Sequence, residues 1–286
     1  MLVSVLLLAS CVKSTKKQTG QLITQTYEAQ DAEELEIKDI ALQRASGSNL
    51  TTYGAKVNIK KGDKKSVEIT MQESLKDEIS VSFSSDTLRI SGKQNVIYET
   101  DDGVTINITG YVFEKLELST MVEATIADDT LSKDNLEIYE SGATIINGNE
   151  LNGAYFKLEA SGASQIKFNT VKVNDALFQL SGASQLRFNT FNVRVLKAEE
   201  SGASLMQFAG DCISLDLQLS GASQLGKFEF SIVKSKVEIS GASLMYATLT
   251  EEIKGKASGA STIKYKGNPK IDVELSGASI VKEDSK

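Results

Sequence analysis

The sequence contains no histidine and no tryptophan, and it has one proline and two cysteines in 286 residues. Without histidine, the chain lacks the most frequent general base, the most frequent metal ligand and the side chain that titrates near neutral pH. Aromatic residues make up only 6% of the chain, which argues against an aromatic-lined ligand pocket. The hydrophobic residues, 41% of the total, are mainly Leu, Ile, Val and Ala and suffice for a buried core. Nothing in this composition indicates a cofactor.

Basic residues are outnumbered, since 31 Lys and Arg stand against 38 Asp and Glu, for a net charge of −7. A protein that binds nucleic acid needs a basic surface that neutralises phosphates. The acidic balance therefore argues against nucleic acid as a partner. It also argues against non-specific attraction to an anionic membrane surface.

The N-terminus has features of a bacterial export signal. The apolar run at residues 2–8 is too short for a spanning helix, which needs about 20 residues. It ends in Leu8-Ala9-Ser10-Cys11, which resembles the lipobox of bacterial lipoproteins. The resemblance implies a signal peptide at residues 1–10, cleavage before Cys11 and acylation of Cys11. The protein is then expected to be exported and lipid-anchored to a membrane of the cell envelope, the outer membrane.

One feature departs from the export pattern, because no Lys or Arg precedes the apolar run. A start upstream of Met1 would supply the missing positive charge. The alternative is an ordinary apolar N-terminus in which Cys11 occurs by chance. The following residues, 11–31, are polar and lack apolar periodicity, which predicts a tether between the lipid and the folded domain.

The motif Ser-Gly-Ala followed by Ser or Thr occurs eight times in the second half of the chain. Successive motifs are spaced by 20, 20, 20, 19, 20, 18 and 18 residues. Their first residues are Ser141, Ser161, Ser181, Ser201, Ser220, Ser240, Ser258 and Ser276. Such a period is typical of solenoid proteins, in which each repeat packs against the next.

Side-chain polarity alternates along each repeat. The fifth residue after every motif serine is apolar, and the third residue before it is apolar in all repeats except the one with Gly255. The intervening residues alternate with a period of two, as in Phe178-Gln179-Leu180, which is the period of a strand with one buried face. Residues 120–286 are therefore predicted to form an all-β fold: a right-handed, single-stranded parallel β-helix, or solenoid, with coils of about 20 residues and three short strands per coil.

The repeated motif itself predicts a tight corner. Gly adopts backbone angles closed to other residues, and Ala is small, so coils can stack closely there. The hydroxyl groups of the fourth residue are expected to bond to each other or to the backbone. A catalytic serine is not expected, because a serine nucleophile needs a base.

Residues 32–119 show strand patterns that are less periodic, separated by turn signals such as Lys61-Gly62-Asp63. A solenoid needs an atypical end that protects its open edge. This part is therefore expected to form a β-rich N-terminal cap, with a short helical turn between Gln72 and Glu78.

Short motifs in a fixed order carry a family resemblance. They are Tyr53-Gly54-Ala55-Lys56-Val57-Asn58-Ile59, Gly62-Asp63, Val67-Glu68-Ile69, Asp86-Thr87-Leu88-Arg89-Ile90 and the serial Ser-Gly-Ala corners. In this order they resemble the bacterial family named putative auto-transporter adhesin, head GIN domain, over about residues 32–281. The resemblance implies a β-helical domain on an exported and often lipid-anchored protein. It provides no catalytic residues.

Five outward-facing residues are candidate ligand contacts. Gln165, Gln185 and Gln224 lie four places after their motif serines, and Lys167 and Arg187 lie six places after theirs. Coil stacking would align the amides about 4.8 Å apart where coils are adjacent. Such rows could match a repeating polymer, and the basic residues could bind an anionic glycan. The alternative is a solvated face that keeps the wall soluble.

The acidic residues and Cys212 suggest no catalytic site. Glu140 and Glu200 stand just before motif serines that are three coils apart, too far for an acid–base pair, in a column expected at a half-exposed corner. Asp101-Asp102 and Asp128-Asp129 are expected in turns, because neighbours in a strand point in opposite directions. Cys212 is expected to be a buried thiol, and no metal site is expected.

These patterns predict a lipid-anchored, adhesin-like binding protein of the cell envelope rather than an enzyme. Its β-helical wall would face a polymer or a partner surface, with a glycan or a protein as ligand. Two alternatives remain open: a carbohydrate-active β-helix enzyme and a passive structural envelope protein. Such enzymes usually place acidic, basic and aromatic residues in a long groove, and no interruption of that kind is evident in the repeats.

Overall fold

The fold is taken from a computed structural model that describes residues 14–46 and 49–284. Cys11 and the signal peptide predicted at residues 1–10 lie outside these residues. The described chain is built almost entirely from β-strands. None of its helical segments is long and apolar enough to span a membrane.

The chain divides into two compact units. The first contains the described residues up to Ser132 together with Ile138–Gly148. The second contains Lys133–Glu137 and the described residues from Asn149 onwards. The boundary predicted between residues 119 and 120 falls within the first unit.

The first unit mixes parallel and antiparallel strand pairs. Its strands are β1 (Ser14–Lys17), β2 (Leu22–Tyr27), β3 (Glu34–Lys38), β4 (Ala41–Ser46), β5 (Asn49–Lys60), β6 (Ser66–Gln72), β7 (Ser80–Ser84), β8 (Thr87–Ser91), β9 (Val96–Glu99), β10 (Thr105–Thr109), β11 (Lys115–Leu118) and β12 (Val122–Ile126). A 3-10 turn at Glu73–Leu75 confirms the short helical turn expected there. Strand β5 pairs in parallel with β10 and β12 and antiparallel with β4. The buried side chains of Val57 and Ile59 show the period of two that places one face of β5 in the core.

The tether predicted for residues 11–31 is wrong over its described part. Strand β1 pairs in parallel with β9, and β2 pairs antiparallel with β6. In β2, Ile23, Gln25 and Tyr27 are half-buried while the residues between them are exposed. Backbone hydrogen bonds to a neighbouring strand thus order a segment whose composition is too polar to indicate a core element.

The second unit is a stack of parallel coils. Strands β13 (Asn135–Glu140) and β14 (Ile145–Ala160) have residues in both units; those that follow are β15 (Gln165–Leu180), β16 (Gln185–Glu200), β17 (Leu205–Leu219), β18 (Gln224–Ile239), β19 (Leu244–Ala257), β20 (Thr262–Lys266), β21 (Lys270–Leu275) and β22 (Ile280–Glu283). Strands β15 to β19 pair in parallel, each with the next. The parallel solenoid with coils of about 20 residues is confirmed.

Each long strand contains three paired segments. The register between β15 and β16 omits Asn169 and Asn174, where the chain changes direction. The paired segments of β15 are therefore residues 165–168, 170–173 and 175–180. They correspond to the three short strands expected in each coil.

Phenylalanine side chains fill much of the inside of this stack. Phe178, Phe188, Phe191, Phe208 and Phe230 are buried, with ring centroids of neighbouring pairs 4.8 to 6.1 Å apart. Each ring removes a large apolar area from water, so the core gains stability from few residues. The low aromatic content thus reflects a polar exterior and not a weak core.

The Ser-Gly-Ala-Ser corners stack as predicted. In the corner of Gly182, φ is +70°, and the N–H of Ala183 donates to the carbonyl of Gly162 in the preceding coil at 2.7 Å. The hydroxyl of Ser184 is buried and donates to the carbonyl of Ser181 at 2.8 Å. The same bond recurs at Ser164, Ser204, Ser223, Ser261 and Ser279, so these hydroxyls close their own turn through the backbone and do not bond to each other.

Candidate functional site

Three columns of side chains, two on the first segment of each coil and one at the corner that follows it, form one outer surface. They hold the fourth, sixth and eighth residues after each motif serine, from Gln165, Lys167 and Asn169 to Thr262, Lys264 and Lys266. The residues between the columns, such as Ile166 and Phe168, are buried, so the columns face away from the core. We call this surface the front face.

All five candidate contacts lie on the front face. Gln165 is paired in register with Gln185, and Lys167 with Arg187. Gln224 is separated from Gln185 by Leu205, so the amide column is interrupted. The expected columns therefore exist, and the amides adjoin only in the first two of these coils.

Amide and guanidinium groups of the front face are bonded along the stack. The Asn189 side chain donates to Oδ1 of Asn169 at 3.0 Å, and Nε of Arg187 donates to Oε1 of Gln207 at 3.1 Å. Such bonds between adjacent coils hold exposed side chains in a row. An extended ligand would meet a partly ordered polar surface.

The charge of the front face differs from that of the whole protein. It contains four cations, Lys167, Arg187, Lys264 and Lys266, and none of its residues from Gln165 to Lys266 is Asp or Glu. Within residues 14–46 and 49–284, no ion pair involves any of these four cations. On a chain of net charge −7, this surface is locally positive.

The third segment of each coil forms a different outer surface, with columns that run from Leu177 to Asp272 and from Gln179 to Glu274. Here three of the four cations lie in ion pairs, and Lys254 is the exception among the described residues. Lys197 pairs with Glu199 at 2.9 Å, and Lys256 pairs with Glu274 at 3.3 Å. We call this surface the ion-paired face, and we compare the pairing of cations on the front face with it.

Near its C-terminal end the front face is interrupted by a β-bulge. Between β18 and β19 the register jumps from Gly226 opposite Tyr246 to Ser231 opposite Thr248, so three extra residues stand in β18. The bulge carries Phe228, whose ring meets that of Tyr246 edge-on at 5.7 Å. Bulges often redirect side chains next to functional sites.

Two lysines lie against these rings. Nζ of Lys264 is 5.2 Å from the ring centroid of Tyr246, and Nζ of Lys266 is 4.9 Å from that of Phe228. Reasoning from sequence did not single out Phe228 and Lys266. Two features of the sequence could have indicated them: Phe228 is an aromatic residue in an outward column, and the spacing of the last repeats is irregular.

The column of Glu140 and Glu200 was expected at a half-exposed corner, and this expectation is wrong. Glu140 and Glu200 are 4% and 3% exposed. Glu200 stands in register between Leu180 and Leu219, and its carboxylate oxygens have no hydrogen-bond partner among the described residues. Burial raises the pKa of Glu200 to about 9, so this carboxyl is a neutral acid in the core at pH 7.

The remaining chemical candidates occupy structural positions. Asp101 and Asp102 lie in a bend and Asp128 and Asp129 in a turn, as expected. Cys212 is buried, its Sγ is 3.3 Å from the carbonyl oxygen of Ser214, and burial raises the pKa of its thiol to about 12. A thiol with this pKa is inert near neutral pH.

Comparison with known proteins agrees with this architecture. The family described as "Putative auto-transporter adhesin, head GIN domain" matches residues 51–269. The chain belongs to this family. As a head GIN domain protein, it is adhesin-like, and it is grouped with proteins of the cell surface or envelope. No curated protein matches the sequence.

Three solved structures share the fold of this head GIN domain protein. A putative adhesin from Parabacteroides merdae is 14% identical with a TM-score of 0.67, covering 95% of this chain and 99% of that chain. A putative adhesin from Parabacteroides distasonis is 16% identical with a TM-score of 0.65, covering 95% and 100%. A putative lipid binding protein from Parabacteroides distasonis is 14% identical with a TM-score of 0.60, covering 95% and 100%. At these identities the likeness extends to the fold alone.

Proposed function

We propose that the protein is a lipid-anchored, adhesin-like binding protein of the cell envelope whose front face binds an extended polymer. The supporting observation is the contrast between two faces of one solenoid. Among the described residues, three of the four cations of the ion-paired face lie in ion pairs, whereas none of the four cations of the front face does. The rows of unpaired cations on the front face do not stabilise the fold, since exposed charges contribute little to stability whether they are paired or not.

The repetition of the front face suits a repetitive ligand. Coils place equivalent side chains about 4.8 Å apart, so a polymer that lies along the stack meets similar groups at regular intervals. Many weak contacts along one chain then act together, because each new contact forms at high effective concentration. Amides such as Gln165 and Gln185 donate and accept hydrogen bonds, which suits the hydroxyl groups of a glycan.

A lipid at Cys11 would hold this surface in the cell envelope, in the outer membrane. Several acyl chains give stable membrane anchoring, because each buried methylene contributes about 0.8 kcal/mol. The role assigned here is binding without turnover. The hydroxyls at the fourth position of the motif, such as that of Ser184, are buried in the corners, and Glu200 is buried as well, so neither is available to a substrate.

The test uses the soluble chain from residue 12, which retains β1, on arrays of neutral and acidic polysaccharides. We expect saturable binding with no release of reducing ends or unsaturated sugars. The double variant Gln165→Ala/Gln185→Ala should bind more weakly, while Gln179→Ala/Gln218→Ala on the ion-paired face should match the parent. Saturable release of sugars, abolished by changing one acidic residue, would instead support the enzyme alternative.

A further inference from the structure

The aromatic residues near the C-terminal end of the front face hold two ammonium groups in place. Nζ of Lys264 lies 5.2 Å from the ring centroid of Tyr246, and Nζ of Lys266 lies 4.9 Å from that of Phe228. A cation at this distance is attracted to the ring quadrupole, yet it keeps its full positive charge. The rings therefore order the two lysines without neutralising them.

Both rings are themselves supported. A Cβ on Gly226 would lie 3.0 Å from Cδ2 of Tyr246, so the ring packs directly over the glycine backbone. Phe228 belongs to the bulge, and its carbonyl accepts a hydrogen bond from the hydroxyl of Thr248 at 2.7 Å. A bulge fixed in this way supports a site better than a mobile loop.

No carboxylate of the described chain forms an ion pair with either lysine. In the last coil, Lys282 follows Lys264 in register and adds a third cation. The acidic residues brought near by sequence or pairing are Glu229 in the bulge, Glu283 in register with Tyr265, and Asp284, which is the eighth residue after its motif serine, as Lys266 is. The N–H of Asp284 donates to the carbonyl of Tyr265 at 2.7 Å, and its carboxylate is not ion-paired with Lys266.

We propose that Lys264 and Lys266, ordered by Tyr246 and Phe228, form a subsite for the carboxylate or sulfate groups of an acidic polysaccharide. The inference rests on the proposed function and specifies its ligand class. Residues two apart on a strand are about 6.7 Å apart at Cα, so two ammonium groups can hold one anionic group or two groups of one sugar. Lys167 and Arg187 extend the same charge pattern along the face.

The polar remainder of the front face favours a glycan over other polyanions. An acidic polysaccharide presents hydroxyl groups as well as anions, and the amides of Gln165, Gln185 and Asn189 can bond to hydroxyl groups. Nucleic acid requires a broad basic surface, whereas this chain has a net charge of −7, so we do not expect nucleic acid to be the ligand. The experiment includes a single-stranded nucleic acid to test this expectation.

The experiment measures dissociation constants of the chain from residue 12 for heparin, polygalacturonate, dextran and poly(dT) by isothermal titration. The test variant is Lys264→Gln/Lys266→Gln, and the matched control is Lys254→Gln/Lys256→Gln, which removes the same charge elsewhere. We expect at least one acidic polysaccharide to bind, with affinity reduced about tenfold in the test variant and less than about twofold in the control. Tyr246→Ser, which keeps both charges, should reduce affinity about threefold because the ammonium group loses its position.

The outcomes separate the two proposals. Equal affinities of the test and control variants for an acidic polysaccharide would overturn the subsite and leave the front-face proposal intact. Preference for dextran, or binding of poly(dT) as tight as that of the polysaccharides, would also overturn the subsite. Absence of binding to every polysaccharide would count against the proposed function itself. Circular dichroism of each variant establishes that loss of affinity is not loss of fold.

Discussion

The carbonyl oxygen of Gly162 lies 2.5 Å from the point at which a Cβ on Gly182 would stand. The same relationship recurs one coil later between Gly182 and Gly202, also at 2.5 Å. Each of these glycines also has φ near +70°, a conformation that side chains other than glycine rarely adopt. Stacking therefore requires glycine for two independent reasons, backbone conformation and space.

The first prediction concerns this corner. Gly182→Val should lower the free energy of unfolding by more than about 2 kcal/mol, because the side chain meets the backbone of the preceding coil in a strained conformation. Lys167→Val on the front face should change it by less than about 0.5 kcal/mol. Denaturant titration measures both, and similar midpoints would contradict the assignment of corner and face.

The second prediction compares two buried serines of the same column. The Ser184 hydroxyl donates to the carbonyl of Ser181, whereas Oγ of Ser243 has no hydrogen-bond partner among the described residues. Ser184→Ala should therefore cost about 1 kcal/mol, while Ser243→Ala should be neutral or stabilising. A loss at Ser243 as large as that at Ser184 would indicate a hydrogen bond at Ser243 that this account does not include.

The third prediction concerns the buried carboxyl of Glu200. Its pKa is about 9 in the folded protein and near 4.5 when unfolded, so the folded state binds more protons between these values. The stability contribution is complete below about pH 4.5 and is lost as the pH rises towards 9, by up to about 1.4 kcal/mol per unit. Glu200→Leu, which matches its neighbours Leu180 and Leu219, should remove this slope and raise stability at pH 7 by more than about 1 kcal/mol.

The measurement is urea denaturation of the parent and Glu200→Leu at several pH values. The difference in stability should widen with rising pH. A constant difference across this range would mean that Glu200 is ionised and hydrated in the folded protein.

The fourth prediction concerns the N-terminus. Metabolic labelling with a fatty-acid analogue should mark the parent protein and not Cys11→Ala, because the acyl groups require the cysteine of the Leu8-Ala9-Ser10-Cys11 sequence. Equal labelling of both proteins would exclude Cys11 as the acylated residue.

Much of the second unit was predictable because its order is periodic. A Gly column, an apolar column and a period of two fix which side chains stack, and the structure buries Ile166 and Leu186 accordingly. What the repeats could not predict is where periodicity fails. The polarity of Glu200 indicated an exposed position. The structure buries it instead, because its carboxyl is neutral and fits between leucines of the adjacent coils.

The other differences arise from contacts that periodicity does not encode. Strands β1 and β2 are held by backbone hydrogen bonds to distant strands, which a polar composition does not reveal. The bulge in β18 depends on a mismatch in length between adjacent coils, and only pairing shows which residues are extra. Phe228 and Lys266 meet because of that mismatch, so the aromatic part of the candidate site emerged from the structure.

The central claim, that the front face is the binding surface, is tested most directly by two variants with equal net charge. One changes Lys167, Arg187, Lys264 and Lys266 to Gln, and the other changes Lys197, Lys236, Lys254 and Lys256 to Gln on the ion-paired face. Each removes four positive charges from a chain of net charge −7. Polysaccharide affinity is measured at a single salt concentration. We predict that only the first variant loses binding; equal losses in both variants, or no loss in either, would contradict the assignment of the front face as the binding surface.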